Sequence, residues 1–153
     1  MHVRDLVAND RGAVAEALTL SLAFSEDEVR VALDMFDGGM NGDYALVGVE
    51  DEGSLRGYAC FGKAVLSRSS WYLYWICVHP ASQGRGYGRA IEAAVEESVR
   101  AAGGERLVLE TSGRTDYERS RRFYDGAGFT LVGQIPDFFK PGDDCLIYCK
   151  VLA

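Results

Sequence analysis

Residues 71–110 read WYLYWICVHPASQGRGYGRAIEAAVEESVRAAGGERLVLE, and this stretch decides the fold. It opens on the longest apolar run of the chain, Trp71–Val78. The lack of alternation there predicts a strand covered on both faces. A glycine-rich loop follows, and then a helix with a buried stripe of Ala90, Ile91, Ala94, Val95 and Val99. Glu92, Glu96 and Arg100 are expected to face water. Gly103-Gly104 stops the helix, and Leu107–Glu110 reads as a short buried strand. Strand, helix and strand in this arrangement make a βαβ unit, so the two strands are expected to run parallel.

Residues 2–7 read as a strand and residues 11–24 as a helix. A second helix is expected from Ser25, with Glu28 three residues later in a capping-box pattern. Its apolar face is Val29, Ala32, Leu33 and Phe36, and Asp37-Gly38-Gly39 is expected to end it. The period then changes to that of strands. Tyr44–Glu50 and Gly57–Leu66 read as a hairpin around the turn Asp51-Glu52-Gly53-Ser54. After the βαβ unit, Thr115 and Glu118 form a second capping-box pair, opening a helix through Tyr124 that Gly126-Ala127-Gly128 closes. Thr130–Ile135 and Cys145–Val151 are the last strands. The expected order is β-αα-βββ-α-β-α-ββ. This is an α/β fold, a central twisted mixed sheet with helices on both faces, in one domain over residues 1–153.

Composition narrows the function. The net charge of −7 argues against a nucleic-acid binder, which needs a basic face. No apolar run approaches the roughly 20 residues of a membrane-spanning helix. The N-terminus lacks the apolar region of a signal peptide, which favours the cytoplasm. Arg85 and Arg89 flank the glycine loop, and Arg114, Arg119, Arg121 and Arg122 lie close in sequence. Such local patches suit a small phosphorylated ligand, or else solvated helix faces. Cys60, Cys77, Cys145 and Cys149 form no CxxC pair and have no histidine at metal-ligand spacing, so packed thiols and no metal site are expected. His79, before Pro80, reads as a turn residue rather than a base.

The chemistry concentrates in Gln83-Gly84-Arg85-Gly86-Tyr87-Gly88-Arg89. A helix start offers unpaired backbone N–H groups and the positive end of the helix dipole. Glycines let the backbone approach an anion closely, and arginines add charge-assisted contacts. Together these make a phosphate cradle. The P-loop pattern fails, because Arg89-Ala90 stands where Lys-Ser/Thr is needed. The dinucleotide pattern is weak, because Arg89 stands where its third glycine belongs. Gln83, Gly86 and Gly88 satisfy the acyl-CoA loop pattern Q/R-x-x-G-x-G/A. A glycine turn without a ligand stays open on the residues alone.

In these segments the chain resembles the GCN5-related N-acetyltransferase (GNAT) superfamily. Trp71–Val99 is similar to its acetyl-CoA motif, and Tyr117–Phe129 to its second conserved block. Residues 1–50 resemble it in pattern only. The resemblance implies acetyl-CoA as co-substrate and transfer of its acetyl group to a primary amine. It implies that backbone N–H groups of Gly84, Arg85, Gly86, Tyr87, Gly88 and Arg89 bind the pyrophosphate. Backbone near Ile76, Cys77 and Val78 would pair with the pantetheine arm. Tyr124 matches the family's general acid. Many relatives carry Asn seven residues before that tyrosine and Ala four before it; here Tyr117 and Ser120 stand there. With Arg121 and Tyr124, those two share one helix side that would face the cofactor. Relatives often dimerise, so a homodimer is one expected state.

Glu110, at the end of a buried strand, is the candidate base, because desolvation would raise its pKa; an ordinary strand-end carboxylate is the alternative. Asp137, Asp143 and Asp144 read as attractors of a cationic amine or as turn residues, the latter preferred for Asp143 and Asp144. Tyr44, Trp71, Tyr72 and Tyr74 read as core or as pocket lining. Two other functions remain at this level, an acyl-CoA-binding module without transfer and a nucleotide-binding regulator.

Overall fold

Local chemistry accounts for most elements of the computed structural model, which describes residues 1–152. They are β1 (His2–Asp5), α1 (Arg11–Leu20), α2 (Glu26–Met40), β2 (Ala45–Asp51), β3 (Ser54–Lys63), β4 (Ser70–Val78), α3 (Tyr87–Ala101), β5 (Arg106–Ser112), α4 (Glu118–Gly126), β6 (Thr130–Lys140) and β7 (Asp143–Val151). Short 3-10 turns lie at Ala8–Asp10, Pro80–Ser82 and Thr115–Tyr117. The strands form a seven-stranded mixed sheet in the order β1-β2-β3-β4-β5-β7-β6. β4 and β5 run parallel, as a βαβ unit requires, while β1–β2, β2–β3, β5–β7 and β6–β7 are antiparallel.

The chain divides into two compact units, residues 1–62 with 73–98, and residues 63–72 with those from Val99 on. The first unit is built around Leu6, Val14, Leu18, Ala32, Phe36, Tyr58, Cys60 and Cys77, all buried. Removing a side chain such as Phe36 from such a core costs about 3–5 kcal/mol. The expected cap forms at α2, where Glu28 N–H donates to Ser25 Oγ at 3.1 Å and Ser25 N–H to Glu28 Oε1 at 3.3 Å. The hairpin turn places Glu52 and Gly53 at φ of 52° and 75°, the handedness that suits two-residue connections.

Several expectations fail here for identifiable reasons. α1 ends at Leu20, because Ser21 is already extended. α2 runs on to Met40, through the glycines expected to stop it. A Cβ on Gly39 would lie 2.4 Å from Leu46 Cδ1, and one on Gly38 would lie 3.0 Å from the Tyr44 ring. Those glycines let α2 pack close to β2. Glu92 and Glu96 do not face water but are 4% and 9% exposed, because α3 buries a face wide enough to take the positions beside Ile91 and Val95. β4 is not covered on both faces. Leu73 and Cys77 are buried, while Tyr72 and Tyr74 are exposed, and the aromatic rings on the open side hide that alternation in the sequence.

In the second unit, β7 pairs with β5 from Arg106↔Val151 to Ser112↔Cys145. Leu107, Leu109, Phe129, Cys145 and Tyr148 are buried there. The second capping box does not form. Thr115 opens a 3-10 turn, α4 begins at Glu118, and that carboxylate instead accepts from Arg122 Nη2 at 2.8 Å.

Gly57 on β3 has no room for a side chain. A Cβ there would lie 2.7 Å from Cys77 O and 3.1 Å from Val78 Cα, both backbone, and 3.0 Å from Ile91 Cδ1. Overpacking of this kind costs about 1–3 kcal/mol. Gly57→Ala is therefore expected to lower Tm by about 2–12 °C for a chain of this size; an unchanged melting curve would show that β4 yields freely.

Candidate active site

The glycine loop is shaped from both ends. Upstream, β4 ends at Val78, and His79 Nδ1 accepts from Ala81 N–H at 3.1 Å, capping the turn Pro80–Ser82. His79 is thus the turn residue that the sequence suggests. Gln83 Nε2 reaches back to Val78 O at 3.5 Å. Gly84 and Gly86 follow at φ of 76° and 86°, where a side chain would be strained, and neither has a neighbour within 4 Å of a Cβ position. α3 then starts at Tyr87, and its first intrahelical bond runs from Ala90 N–H to Gly86 O at 3.1 Å. The N–H groups of Tyr87 and Gly88 precede that bond, so the helix itself gives them no acceptor. Arg85 and Arg89 are exposed.

Tyr87 anchors this turn. Its ring is 2% exposed, and its hydroxyl donates to Asp51 Oδ2 at 2.6 Å. Arg85 stacks on the ring at 5.4 Å. The Tyr87 bond, with the N-terminal ammonium at 3.1 Å, holds the Asp51 carboxyl below its ordinary range, and the same bond raises the Tyr87 phenol. At the end of β4, Cys77 is buried, which pushes its thiol up to about 12, while Ile76 and Val78 are half-buried. A thiol so far from ionisation is a packing group, as expected. All four cysteines are free.

In the second unit, Tyr117, Ser120, Arg121 and Tyr124 are all half-buried, while Glu118, Arg119, Arg122 and Asp125 are exposed, so the shared helix side is real. The Tyr124 ring lies 5.8 Å from Phe123, 5.9 Å from Phe129 and 6.0 Å from Tyr148. Behind it, Phe129 N–H donates to Tyr124 O at 3.0 Å, and Gly128, at φ of 94°, closes the helix. Ahead of it, Arg121 Nη1 donates to Ser112 O at 2.8 Å and to Arg114 O at 2.7 Å.

Glu110 is exposed, contrary to the expectation of a desolvated carboxylate. Strand alternation turns Leu109 and Thr111 inward and leaves Glu110 on the other side. Burial falls instead on Cys145, whose thiol donates to Glu110 Oε1 at 3.7 Å and is pushed up to about 11. The three aspartates are tied into turns. Buried Asp143 accepts from Ser112 Oγ, with Arg114 Nη1 at 4.0 Å. Asp144 accepts from Asp137 N–H at 2.9 Å and from Gln134 Nε2 at 2.6 Å, and Asp137 accepts from Gly142 N–H at 2.7 Å. The internal roles of Arg121, Asp143 and Tyr87 had no signal in local sequence, because each partner lies on another element.

The acetyltransferase (GNAT) family model matches residues 13–129. A curated relative, the 5-NmdU N-acetyltransferase of Pseudomonas phage PaMx11, is 32% identical over 85 residues, 56% of this chain and 56% of that protein. The match thus spans about half of that relative's length. Among solved structures, a candidate acetyltransferase of the GNAT family from Desulfovibrio desulfuricans is 33% identical, with a TM-score of 0.94 over 99% of both chains. A Salmonella typhimurium structure with its cofactor acetyl-CoA is 23% identical, with a TM-score of 0.79 over 100% of this chain and 94% of that one; it supports the fold.

The anchor at Asp51 gives a pH signature. Its folded carboxyl titrates below the unfolded value, so the bond favours the folded state at neutral pH and is lost as pH falls through the folded midpoint. In Tyr87→Phe that midpoint is expected to rise, read from the Asp51 carboxyl carbon by NMR titration. A midpoint unmoved by the substitution would mean that Tyr87 is not the dominant partner.

Proposed function

The chain belongs to the acetyltransferase (GNAT) family, and on that premise we propose that it transfers the acetyl group of acetyl-CoA to a primary amine by direct attack in a ternary complex. The observation that carries this reading is the loop itself. Two glycines at φ of 76° and 86° lead straight into the start of a helix, with open space where side chains would be. That is what a diphosphate needs, namely close approach to several backbone N–H groups at the positive end of a helix dipole. The groups of Gly84 to Arg89 are the proposed cradle, with Arg85 and Arg89 adding charge and Gln83 closing the loop. Backbone at Ile76, Cys77 and Val78 takes the pantetheine arm, and Tyr117, just before α4, and Ser120 on it contribute as well.

Acetyl-CoA supplies an activated acyl thioester. The neutral amine forms a C–N bond to the acyl carbon, and the C–S bond breaks to release a thiolate. Tyr124 donates its phenolic proton, or a hydrogen bond, to that sulfur. The proton lost by the amine goes to water, with Glu110 as an exposed acceptor. Because Glu110 is exposed, the part proposed for it is to pass that proton on to solvent. A cytoplasmic location and a homodimer carry over from the sequence as proposals, and sedimentation tests the latter.

The acceptor is an amine, and a panel identifies it: a polyamine, an amino-acid amide, a peptide with a free N-terminus, and the 5-NmdU of the phage relative's name. Steady thiol release from acetyl-CoA that depends on one of these supports the enzyme. Tight coenzyme A binding without release across the panel would favour a binding module. With a competent amine, Tyr124→Phe is expected to lower kcat by about 10²-fold or more, leaving KM for acetyl-CoA within about twofold. Unchanged turnover would remove Tyr124 from the mechanism.

A further inference from the structure

We propose that Arg121 is a positioning residue that sets Tyr124 in place by clasping the β5–α4 turn, in contrast to the cofactor contact that family resemblance implies; this rests on the acetyltransferase reading above. α4 has nine residues and no side-chain cap at its start. A helix that short is not stable alone in water, so tertiary ties must place it. Arg121, in its second turn, makes such a tie. Nη1 carries two hydrogens, and both are used, on Ser112 O at 2.8 Å and Arg114 O at 2.7 Å. These carbonyls flank Gly113, at the point where the β5–β7 pairing ends with Ser112↔Cys145. Charge-assisted bonds of this length are among the stronger ones available to a chain.

The turn is held from its other side as well. Ser112 Oγ donates to Asp143, which is 7% exposed, and accepts from Arg114 N–H at 3.1 Å. Gly113 N–H donates to Asp144 O at 3.0 Å. The start of β7 therefore fixes the turn, and Arg121 fixes α4 to the turn. Tyr124 follows three residues later on the same helix side. Its own carbonyl is tied by Phe129 N–H, and its ring is set among Phe123, Phe129 and Tyr148. The tyrosine thus stands between two anchors. A displacement of about 1 Å at a reacting group can cost roughly 10²-fold in rate, so the clasp bears directly on turnover.

The test is a double-mutant cycle with Arg121→Ala, Tyr124→Phe and both together. Each is assayed by thiol release with the competent amine, by calorimetry with coenzyme A, and by hydrogen exchange. Arg121→Ala is expected to lower kcat about tenfold or more and to raise exchange at residues 114–124, with coenzyme A affinity within about twofold. Arg121→Lys, whose ammonium can donate to both carbonyls, is expected to recover part of the loss. Because the effect runs through Tyr124, adding Arg121→Ala to Tyr124→Phe should cost little more. Three results would overturn the proposal: additive losses, a tenfold weaker grip on coenzyme A with kcat intact, or unchanged exchange. If the wild type acetylates no amine, the functional reading itself fails. Exchange then decides the clasp alone, greater exposure in Arg121→Ala upholding it and no change sinking it.

Discussion

The chain must leave β4 at Val78 and enter α3 at Tyr87, and the rest of the structure depends on how it makes that turn. Eight residues, 79–86, are available. They are spent on a His79-capped 3-10 turn, a side-chain tie from Gln83 to Val78 O, and two glycines with positive φ. Any residue with a Cβ at those glycines would meet conformational strain. The same economy leaves the first N–H groups of α3 without helical acceptors, and that is the property that invites a diphosphate. Structural necessity and ligand chemistry are satisfied by one arrangement of backbone.

The elements around that turn are fitted to it. Gly57 brings β3 against the last backbone of β4, and Tyr87 pins the start of α3 to Asp51 on the β2–β3 hairpin. Across β5, α4 and β7 the logic is similar but uses charge. The carboxylates of Asp137, Asp143 and Asp144 and the guanidinium of Arg121 are spent on turns, so formal charge here builds geometry first. Arg114 and Arg122, like Arg121, already have partners within the chain.

Much of this was legible from residue order. The βαβ unit followed from an apolar run, a glycine loop and a helical stripe, and the Ser25–Glu28 cap formed as its spacing requires. Element order followed from the changes of period. The second cap, Thr115 with Glu118, has the same spacing and did not form. A stronger set of long-range ties, from Arg121 and Asp143, shapes that turn, and local pattern carries no information about partners 9 or 31 residues away.

Sequence by itself determined what depends on neighbours along the chain: strand and helix periods, glycines that permit positive φ, and the family that this combination marks. Tertiary structure alone decided which side of an element meets other elements. It buried Glu92 and Glu96, exposed Glu110 and Tyr74, and made Gly38 and Gly39 packing residues rather than a stop. The physical reason is that burial and pairing are set by what packs opposite a residue. That partner is chosen by the fold, whereas propensity and backbone freedom belong to the residue itself.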